Sequence, residues 1–481
     1  MNDAFLGLDV GTSGLKILVI DTDGGVLART SAGYPTSYPA PGRAEQDPES
    51  WIDALADALS RVDADVRARI RGVAAVGHVP SLVLVDADGR AVRPSIIWQD
   101  NRAEREAQAL GARFGDVDAE LGTALPWAAS QLLPKLSWVA AHEPEAVTRT
   151  SAALQPKDYV NRFLTSITAT DPWSSKGICD VTEGAPAARL LAGAGWSSDV
   201  CPPTHAPWAE LGRVTPAAAE RLGIPAGIVV ATGWSDALGA VLAVGAFDEP
   251  RSFVLTGTSN IVGATRTDVA TAQGLYAVPA GPSAPLPMLY GPTQSGGEAL
   301  TWAARILDVE VGEVIRLATE AATTDRPTFV PYLRGERAPL WNPAARGLLV
   351  GLSADQGRAE FARAVVDGVA SSARHVLELA TGGDGADQPV EVGGVGVDDP
   401  RWAAMWASAL RRPLRIHSEP NLSALGAALL AAGACGLKGA ELARLRPQPT
   451  EYHPDAADAD DTGFRDYLDA SHLADEWSRR D

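Results

Sequence analysis

Cysteine is scarce in this chain, with three residues among 481, and Cys179, Cys201 and Cys435 form no CxxC pair. This content excludes a disulfide scaffold and favours free, packed thiols in a reducing compartment, so we expect a cytoplasmic protein. No basic stretch followed by a long apolar run opens the sequence, and no secretory signal is expected. The apolar stretch 424–437 is shorter than the roughly 20 residues that cross a membrane, so we expect no membrane partner.

Positive charge is also in short supply. The chain carries 60 acidic and 41 basic residues, which gives a formal net charge of −19, and it has no basic stripe. Nucleic acids and anionic membranes bind proteins through clustered Lys and Arg, so neither is expected as a partner. A phosphorylated ligand stays open, because a few local cations and backbone N–H groups are enough to bind one.

Several familiar catalytic motifs are absent. The sequence contains no GxxxxGK[ST] phosphate loop, no HExxH pair and no EF-hand loop. The segment Gly233-Trp-Ser-Asp-Ala237 approaches the GxSxG turn of serine hydrolases but ends in alanine. These absences argue against a Walker-type NTPase, a zinc protease and a serine hydrolase.

What the chain does contain is an apolar hairpin at its start. Residues 5–21 predict two strands around the turn Gly11-Thr12-Ser13, with Asp9 before the turn and Lys16 after it. Glycine permits a sharp bend, and the N–H groups, hydroxyls and lysine around the turn suit a phosphate group. Asp9 would repel that phosphate unless a cation lay between them. The segment therefore predicts a nucleotide-phosphate site with a magnesium anchor.

A second hairpin of the same plan surrounds Gly257-Thr258-Ser259, about half a chain away. Either turn alone is most simply a turn, but two of them predict a duplicated architecture. Alternating strand and helix patterns make the fold class α/β, and a single core rarely exceeds about 250–300 residues. We place the boundary at the polar break 248–251. The predicted domains are 1–247 and 248–447, followed by an acidic linker and a docking helix over 448–481.

Helical periodicity marks the longer elements. Asp47 before Pro48 predicts an N-cap and a first helical residue. A last apolar helix is expected to begin near Ser423. Further helices are predicted near 102–112, 135–142, 296–307, 358–380 and 462–480.

Asp236 is the strongest candidate for a catalytic base. It follows the apolar run 228–233 and should project from a strand end, where ligands of open α/β sheets gather. Its carboxylate could accept the proton of an alcohol whose oxygen attacks a γ-phosphoryl group. The structural alternative is an N-cap for the helix that begins near Ala237, and the isolated segment does not decide between the two.

A series of short motifs runs through the chain in a fixed order. The first half contains Asp9-x-Gly-Thr-Ser13, Glu45-Gln-Asp-Pro-Glu-x-Trp51, Ile96-Ile-Trp-Gln-Asp-x-Arg102, Pro134-Lys-Leu-Ser-Trp138, Pro156-Lys-Asp-Tyr159, Ala169-Thr-Asp171 and Gly233-x-x-Asp236. The second half contains Gly335-Glu-Arg-x-Pro339, Gly347-x-x-x-Gly351-Leu352, Arg363-x-x-x-x-Gly368, Gly393-Gly394 and Ala424-Leu-Gly-Ala-Ala428. Together they resemble the FGGY family of carbohydrate kinases, and the xylulokinases most among its members.

The resemblance implies two actin-like, ribonuclease-H-like domains with the active cleft between them. It implies ATP and Mg²⁺ as cofactors and a small sugar or polyol as substrate. Asp236 would be the general base, and Asp9 and Asp236 would hold Mg²⁺. The implied nucleotide contacts are Thr12, Ser13, Lys16, Gly257, Thr258, Gly297, Gly394 and Asp398, the last in place of a family Asn. The implied acceptor contacts are His78, Val79, Trp98, Asp100 and Asp236.

The acceptor itself is less well defined. Xylulokinases usually carry Gln-Met-His-Gly where this chain has His78-Val-Pro-Ser81, and Ala237 stands where Asn often follows the base. Each lost polar contact weakens discrimination between sugar hydroxyls. A ketopentose such as xylulose is the leading acceptor, and ribulose, gluconate and alditols stay open. Trp98 and Trp302 could be core aromatics only. Glu336-Arg337 is expected to be a polar interdomain pair or a pair that braces a loop, and not a catalytic pair.

Two other classes of function stay open. One is an actin-like or Hsp70-like nucleotide switch without sugar kinase activity, and the other is a weakened relative that binds a sugar as a sensor. Asp236 and the segment 98–102 favour the kinase, because a pure switch requires neither. The sequence does not fix the oligomeric state, and a homodimer is one open arrangement.

Overall fold

The computed structural model describes residues 3–268, 271–321, 326–383, 388–455 and 461–480. Contacts among residues divide the chain into two compact units. The first consists of Met1–Ala243, Val278–Leu286 and Asn421–Arg446, and the second of Val244–Ala277, Pro287–Pro420 and Pro447–Asp481. The first change of unit falls just before the predicted break at 248–251. The segment after Pro420, which the sequence assigned to the second domain, joins the first unit by its contacts.

The strands form two seven-stranded sheets and three two-stranded ladders. They are β1 (Ala4–Val10), β2 (Gly14–Asp21), β3 (Val26–Gly33), β4 (Glu45–Gln46), β5 (Ile70–Gly77), β6 (Val83–Val85), β7 (Ser95–Ile96), β8 (Ala152–Leu154), β9 (Glu210–Arg213), β10 (Val229–Ala231), β11 (Trp234–Ser235), β12 (Ser252–Thr256), β13 (Ile261–Thr265), β14 (Tyr276–Val278), β15 (Met288–Pro292), β16 (Thr328–Val330), β17 (Leu348–Val350), β18 (Val390–Gly394), β19 (Leu414–His417) and β20 (Thr450–Tyr452).

The helices alternate with these strands along the chain. They are α1 (Pro48–Ser60), α2 (Ala64–Ala68), α3 (Glu104–Phe114), α4 (Asp118–Leu121), α5 (Leu132–His142), α6 (Pro144–Arg149), α7 (Pro156–Thr165), α8 (Ala188–Gly193), α9 (Pro216–Leu222), α10 (Asp236–Ala243), α11 (Gly297–Leu307), α12 (Val311–Ala318), α13 (Arg358–Thr381), α14 (Pro400–Leu410), α15 (Leu422–Ala434), α16 (Ala440–Arg444) and α17 (Thr462–Trp477), with one 3-10 turn at Ser198–Val200.

The sheet of the first unit has the strand order β3-β2-β1-β5-β10-β9, and β11 also pairs with β5. The hairpin β1–β2 is antiparallel, whereas β1, β10 and β11 each pair with β5 in parallel. Helix α15 is buried along most of its length and packs on β1 and β5. This packing explains why α15 belongs to the first unit.

The second unit repeats this plan. Its sheet has the order β14-β15-β13-β12-β18-β19-β20, with an antiparallel hairpin β12–β13 and a parallel neighbour β18. The long helix α13 supplies Val365, Val369 and Leu377 to the core beside this sheet. The repeated plan agrees with the two predicted hairpins and with an actin-like, ribonuclease-H-like fold.

The predicted helices form, with small shifts at their ends. Asp47 caps α1 by accepting the N–H of Glu49 at 3.1 Å, and Pro48 is the first helical residue. Helix α5 begins three residues before the predicted start, at Leu132, and α13 ends at Thr381. Part of the predicted linker 448–461 forms β20, and another part lies outside the described residues.

The last helix, α17, belongs to the second unit and packs on it. Tyr467 of α17 is buried beside Tyr332, and the Tyr332 hydroxyl lies 2.8 Å from that of Ser471. All three cysteines are free thiols. None of the described helices is long and apolar enough to cross a membrane.

Candidate active site

The candidate site lies at one edge of the first sheet. Because β1, β5 and β11 run parallel, their carboxyl ends lie side by side: Val10 pairs with Gly77, and Gly77 pairs with Ser235. The first Gly-Thr-Ser turn, His78 and Asp236 follow these ends directly. Ligands of open α/β sheets bind at such an edge.

Asp236 is the first residue of α10 and is partly exposed. A tight approach at Gly233 brings the chain to this point: its φ is 78°, and a Cβ there would lie 1.9 Å from the carbonyl oxygen of Ala75. Only glycine fits such a position. The predicted alternative, an N-cap role, falls to Ser235 instead, whose Oγ accepts the Leu238 N–H at 3.4 Å. Asp236 is already helical, and a hydrogen bond from the Ala237 N–H reaches its Oδ1 at 2.7 Å. It uses one of the two carboxylate oxygens.

The electrostatic surroundings of Asp236 suit proton transfer. Desolvation and the negative charge of Asp9 raise the pKa of Asp236 to about 7, against the opposing effects of the Ala237 N–H, Lys176 and Lys16. A carboxyl group with a pKa near neutrality can both accept and release a proton at the pH of a cell. The charges of both Asp9 and Lys16 therefore act on Asp236.

Asp9 and Lys16 are cross-strand partners in the first hairpin. Lys16 Nζ lies 3.8 Å from Asp9 Oδ2, and the lysine is exposed whereas Asp9 is buried. Desolvation raises the pKa of Asp9 to about 6, and the charge of Lys16 opposes this rise. Asp9 Oδ1 is buried and has no hydrogen-bond partner among the described residues. An orphaned carboxylate oxygen of this kind is suited to a cation.

The described residues hold no group of three His, Cys, Asp or Glu side chains that would bind a metal on their own. Mg²⁺ does not require such a group, because it keeps several waters and is usually held by one or two carboxylates together with substrate phosphates. The orphaned oxygen of Asp9 and the nearby carboxylate of Asp236 fit that mode of binding.

The turn after β1 is held by side chains from three other segments. Trp98 Nε1 donates to Thr12 Oγ1 at 2.9 Å, and Gln46 Nε2 donates to the Thr12 carbonyl at 2.7 Å. The Tyr34 hydroxyl donates to the Gly11 carbonyl. Ser13 is exposed at the tip of the turn. Tyr34 and Gln46 were not among the predicted site residues.

His78 lies at the same edge but is not an open side chain. It is 2 % exposed, its Nδ1 lies 2.7 Å from Ser81 Oγ, and Ser81 Oγ also accepts the Trp98 N–H at 3.1 Å. Desolvation and the charge of Lys135 lower the pKa of His78 to about 3, so the imidazole is neutral. Val79 and Trp98 are partly exposed. Val79 and Trp98 are therefore more exposed than His78.

Asp100 differs from the other predicted acceptor contacts because it is fully buried. Its carboxylate binds the Arg102 guanidinium at 2.7 Å and accepts the Ala44 N–H at 2.6 Å. Arg102 also pairs with Glu45 at 2.8 Å. Hydrogen bonds from Arg102 and Ala44 hold the pKa of Asp100 below its usual value in spite of its burial. These contacts give Asp100 a bracing role that the motif did not reveal.

The motifs at 156–159 and 169–171 contain a buried charged network whose pairing the sequence reasoning missed. Lys157 Nζ lies 2.5 Å from Asp158 and 2.9 Å from Asp171, and all three side chains are fully buried. Lys176, five residues after Asp171, is 3 % exposed, and its charge acts on Asp236. Nothing in the sequence marked Lys176, because residues 172–179 are of mixed polarity and a lone lysine there is not distinguishable from a surface residue.

The second unit brings together four of the predicted nucleotide contacts, Gly257, Thr258, Gly297 and Gly394. Gly297 N–H donates to the Gly257 carbonyl at 2.8 Å, and the Gly296 N–H donates to the Thr258 carbonyl at 2.8 Å. Gly394 ends β18 next to β12, in register with Thr256. Asp398 is exposed shortly before α14. The second hairpin turn, the start of α11 and the end of β18 are therefore neighbours within this unit.

Two further expectations concern the second unit. Glu336 accepts the N–H groups of Gln294 and Arg337 at 2.5 and 2.7 Å, and Arg337 donates to the Thr293 carbonyl at 2.7 Å. This pair braces the loop before α11, as predicted. Trp302 stacks on Phe329 with ring centroids 5.5 Å apart, as expected of a core aromatic.

Comparisons with known proteins agree with the sequence motifs. The N-terminal domain of the FGGY family of carbohydrate kinases matches residues 4–243, and its C-terminal domain matches residues 253–435. Xylulose kinase from Escherichia coli (strain K12) is 30% identical, and the match covers 89% of this chain and 89% of that protein.

Solved structures with the same fold include two sugar kinases. Xylulose kinase from Rhodospirillum rubrum has a TM-score of 0.89 at 27% identity, covering 99% of this chain and 100% of that chain. Gluconate kinase from Lactobacillus acidophilus also has a TM-score of 0.89, at 24% identity, covering 98% and 99%, and shows the fold alone. With both family domains matched in order along most of its length, this chain belongs to the FGGY family of carbohydrate kinases.

Proposed function

We propose that this kinase transfers the γ-phosphoryl group of ATP to a hydroxyl of a small sugar or polyol, with Asp236 as the general base. The observation that carries this proposal is the position of Asp236 at the carboxyl edge of the sheet, with its pKa raised to about 7 by desolvation and by Asp9. The acceptor hydroxyl gives its proton to the Asp236 carboxylate while its oxygen bonds to the γ-phosphorus. The bond from that phosphorus to the β–γ bridging oxygen breaks, and ADP leaves.

Phosphate charge has to be neutralised while this bond forms. In the first unit the proposed nucleotide contacts are the Thr12 and Ser13 hydroxyls and the exposed ammonium of Lys16. In the second unit they are Gly257, Thr258, Gly297, Gly394 and Asp398. The active cleft between the domains stays a prediction.

Asp9 and Asp236 are the residues that would hold Mg²⁺. The buried, unpartnered oxygen of Asp9 supports this assignment. When bound, the ion would neutralise phosphate charge and order the triphosphate. It would also offset the repulsion between the two carboxylates that raises the pKa of Asp236.

A ketopentose such as xylulose is the leading acceptor. Support comes from the names of the curated relatives, among them the xylulose kinase of Escherichia coli. The residues after β5 weaken the case for xylulose, because Val79 and Pro80 offer no polar side chain to a sugar hydroxyl. Ribulose, gluconate and alditols therefore belong in the same screen.

A coupled assay of ADP release over pentuloses, hexuloses, alditols and sugar acids tests the proposal. We expect ADP release that depends on one acceptor class and falls at least about 100-fold in Asp236→Ala, the size expected for loss of a general base. Equal turnover by the two proteins would remove Asp236 from this role. Acceptor-independent ATP hydrolysis across the whole panel would favour a nucleotide switch instead.

A further inference from the structure

A polar cavity lies at one edge of the sheet of the second unit. Ser252 starts β12 and pairs in register with Val390 of β18, which pairs in turn with Leu414 of β19. Because these three strands are parallel, their amino ends lie side by side. The cavity has a volume of about 340 Å³, and several of the residues that line it lie at or just before these ends.

This edge is separate from the proposed nucleotide contacts of the same unit. Gly257 follows β12 and Gly394 ends β18, so both lie at the carboxyl ends of these strands. Strand β12 has five residues and therefore rises about 13 Å between its ends. A ligand in the cavity would not occupy the place proposed for the nucleotide.

Arg412 lines the cavity two residues before β19 and is only 7 % exposed. Its Nε–H donates to the Gln388 carbonyl at 2.8 Å, and its side chain makes no other hydrogen bond to the described residues. A guanidinium has five N–H donors, so four of those of Arg412 take no partner from this part of the chain.

The charge of Arg412 also has no counterion in the part of the chain that the structure describes. No carboxylate there lies within 4.0 Å of its guanidinium. Burial lowers the pKa of Arg412 to about 10, so the group is still charged at pH 7. A buried charge is costly unless it is paired, and this one calls for an anion.

Two further arginines line the cavity, and their charges are paired. Arg251 pairs with the buried Glu391 at 3.1 Å and also with Glu249. Arg266 pairs with Asp268 at 2.9 Å. Glu249 and Asp268 also line the cavity, but both are exposed and bound to these arginines. The donors that are still open are those of the unpaired guanidinium.

These open donors suit a phosphate group. The planar fork of a guanidinium binds two oxygens at once, in phosphates and in carboxylates. A phosphate group has three acceptor oxygens and up to two negative charges, whereas a carboxylate has two oxygens and one charge. Ser252 and Thr267 also line the cavity, and their hydroxyls are further donors for a third oxygen.

We propose that this cavity binds the phosphate group of a small molecule, with the Arg412 guanidinium as its main contact. The site goes beyond the proposed function and does not depend on it. Small-molecule sites typically have volumes of about 300–1,000 Å³, so the cavity has room for a phosphate monoester as well as for the free ion.

Calorimetric titration with inorganic phosphate, at constant ionic strength and with excess ADP to fill the nucleotide site, tests this proposal. Loss of charge-assisted hydrogen bonds predicts at least about 10-fold weaker binding by Arg412→Gln. Lysine keeps the charge but not the fork, so Arg412→Lys should bind with intermediate affinity. Arg305→Gln removes an exposed arginine of the same unit and should bind like the wild type.

Two further titrations identify the ligand. Glycerol 2-phosphate that binds at least as tightly as inorganic phosphate would identify a phosphate monoester, whereas binding of inorganic phosphate alone would identify the free ion. Acetate should bind more weakly than either, because it carries a single charge. Acetate that binds as tightly as phosphate would overturn the choice of a phosphate group.

The site itself is overturned if the wild type binds no phosphate, or if Arg412→Gln binds it as tightly as the wild type does. Thermal unfolding in phosphate-free buffer shows whether each variant is folded. If Arg412→Gln is not, Arg412→Lys decides, because an affinity equal to that of the wild type would remove the guanidinium fork from the site. None of these titrations requires an acceptor to be phosphorylated, so the kinase proposal and the phosphate site can fail independently.

Discussion

Asp100 and Trp98 stand two residues apart and have different surroundings. Trp98 is partly exposed and donates to Thr12, whereas Asp100 is fully buried and binds Arg102. Removing one partner of a buried ion pair leaves the other charge uncompensated, so we expect Asp100→Asn to cost about 3–5 kcal/mol of stability. Thermal or denaturant unfolding measures the loss. Asp53→Asn, which breaks an exposed pair with Arg221, is the control and should cost about 1 kcal/mol or less.

The same variant decides whether Asp100 contacts the acceptor. If bracing is its whole role, the folded fraction of Asp100→Asn should keep the wild-type KM for the acceptor. A large rise in KM without loss of stability would restore the acceptor contact that the sequence motif implied.

Among single residues, the sequence predicted the site residues that a local pattern marks. It missed those whose role depends on residues far away in the sequence. Asp9, Thr12, Lys16 and Asp236 could be found because a turn or a strand end marks each of them. The burial of Lys176 could not be predicted, nor could the effect of its charge on Asp236. Burial and facing partners are properties of the folded chain, and no short motif records them.

Elements were predicted well where their ends carry chemical signals. Asp47-Pro48 marks the start of α1, and Arg358–Thr381 follows closely the periodic pattern of 358–380. Prediction failed where strand pairing determines the secondary structure. Strand β20 forms within a segment expected to be a linker, because it pairs with β19. Strand pairing over a long sequence separation leaves little local trace.

The loop before α11 makes a pH-dependent contribution to stability. Burial raises the pKa of Glu336 from 4.5 to about 8, so the folded chain binds this proton where the unfolded chain has lost it. The stabilisation is complete below about pH 4.5 and is lost as the pH rises towards 8. We expect the stability of the wild type relative to Glu336→Gln to fall between pH 5 and pH 8, by about 1.4 kcal/mol for each pH unit at most.

Thermal unfolding of both proteins across this pH range measures the difference. Glu320→Gln, which replaces an exposed glutamate of the same unit, should run parallel to the wild type. A constant difference between wild type and Glu336→Gln from pH 5 to pH 8 would mean that Glu336 is ionised in the folded chain.

The repeated architecture of the molecule could be predicted from the sequence, but the division of the chain into two units could not. Two Gly-Thr-Ser hairpins predicted two repeated sheets, and each unit has one, with a parallel strand beside the hairpin. The units, however, are not continuous in sequence, because α15 returns to pack on β1 and β5. The apolar sequence of α15 predicts burial but does not say against which sheet.

Phosphoryl transfer to a sugar is the central claim for the molecule as a whole, and following the phosphoryl group tests it most directly. ATP labelled with ¹⁸O in its γ-phosphoryl group is incubated with the protein and xylulose, and with the best other acceptor of the screen, and the products are examined by mass spectrometry. We predict that the label appears in a sugar phosphate in equal amount to the ADP formed. Label found only in inorganic phosphate, at the same rate with and without acceptor, would contradict a sugar kinase.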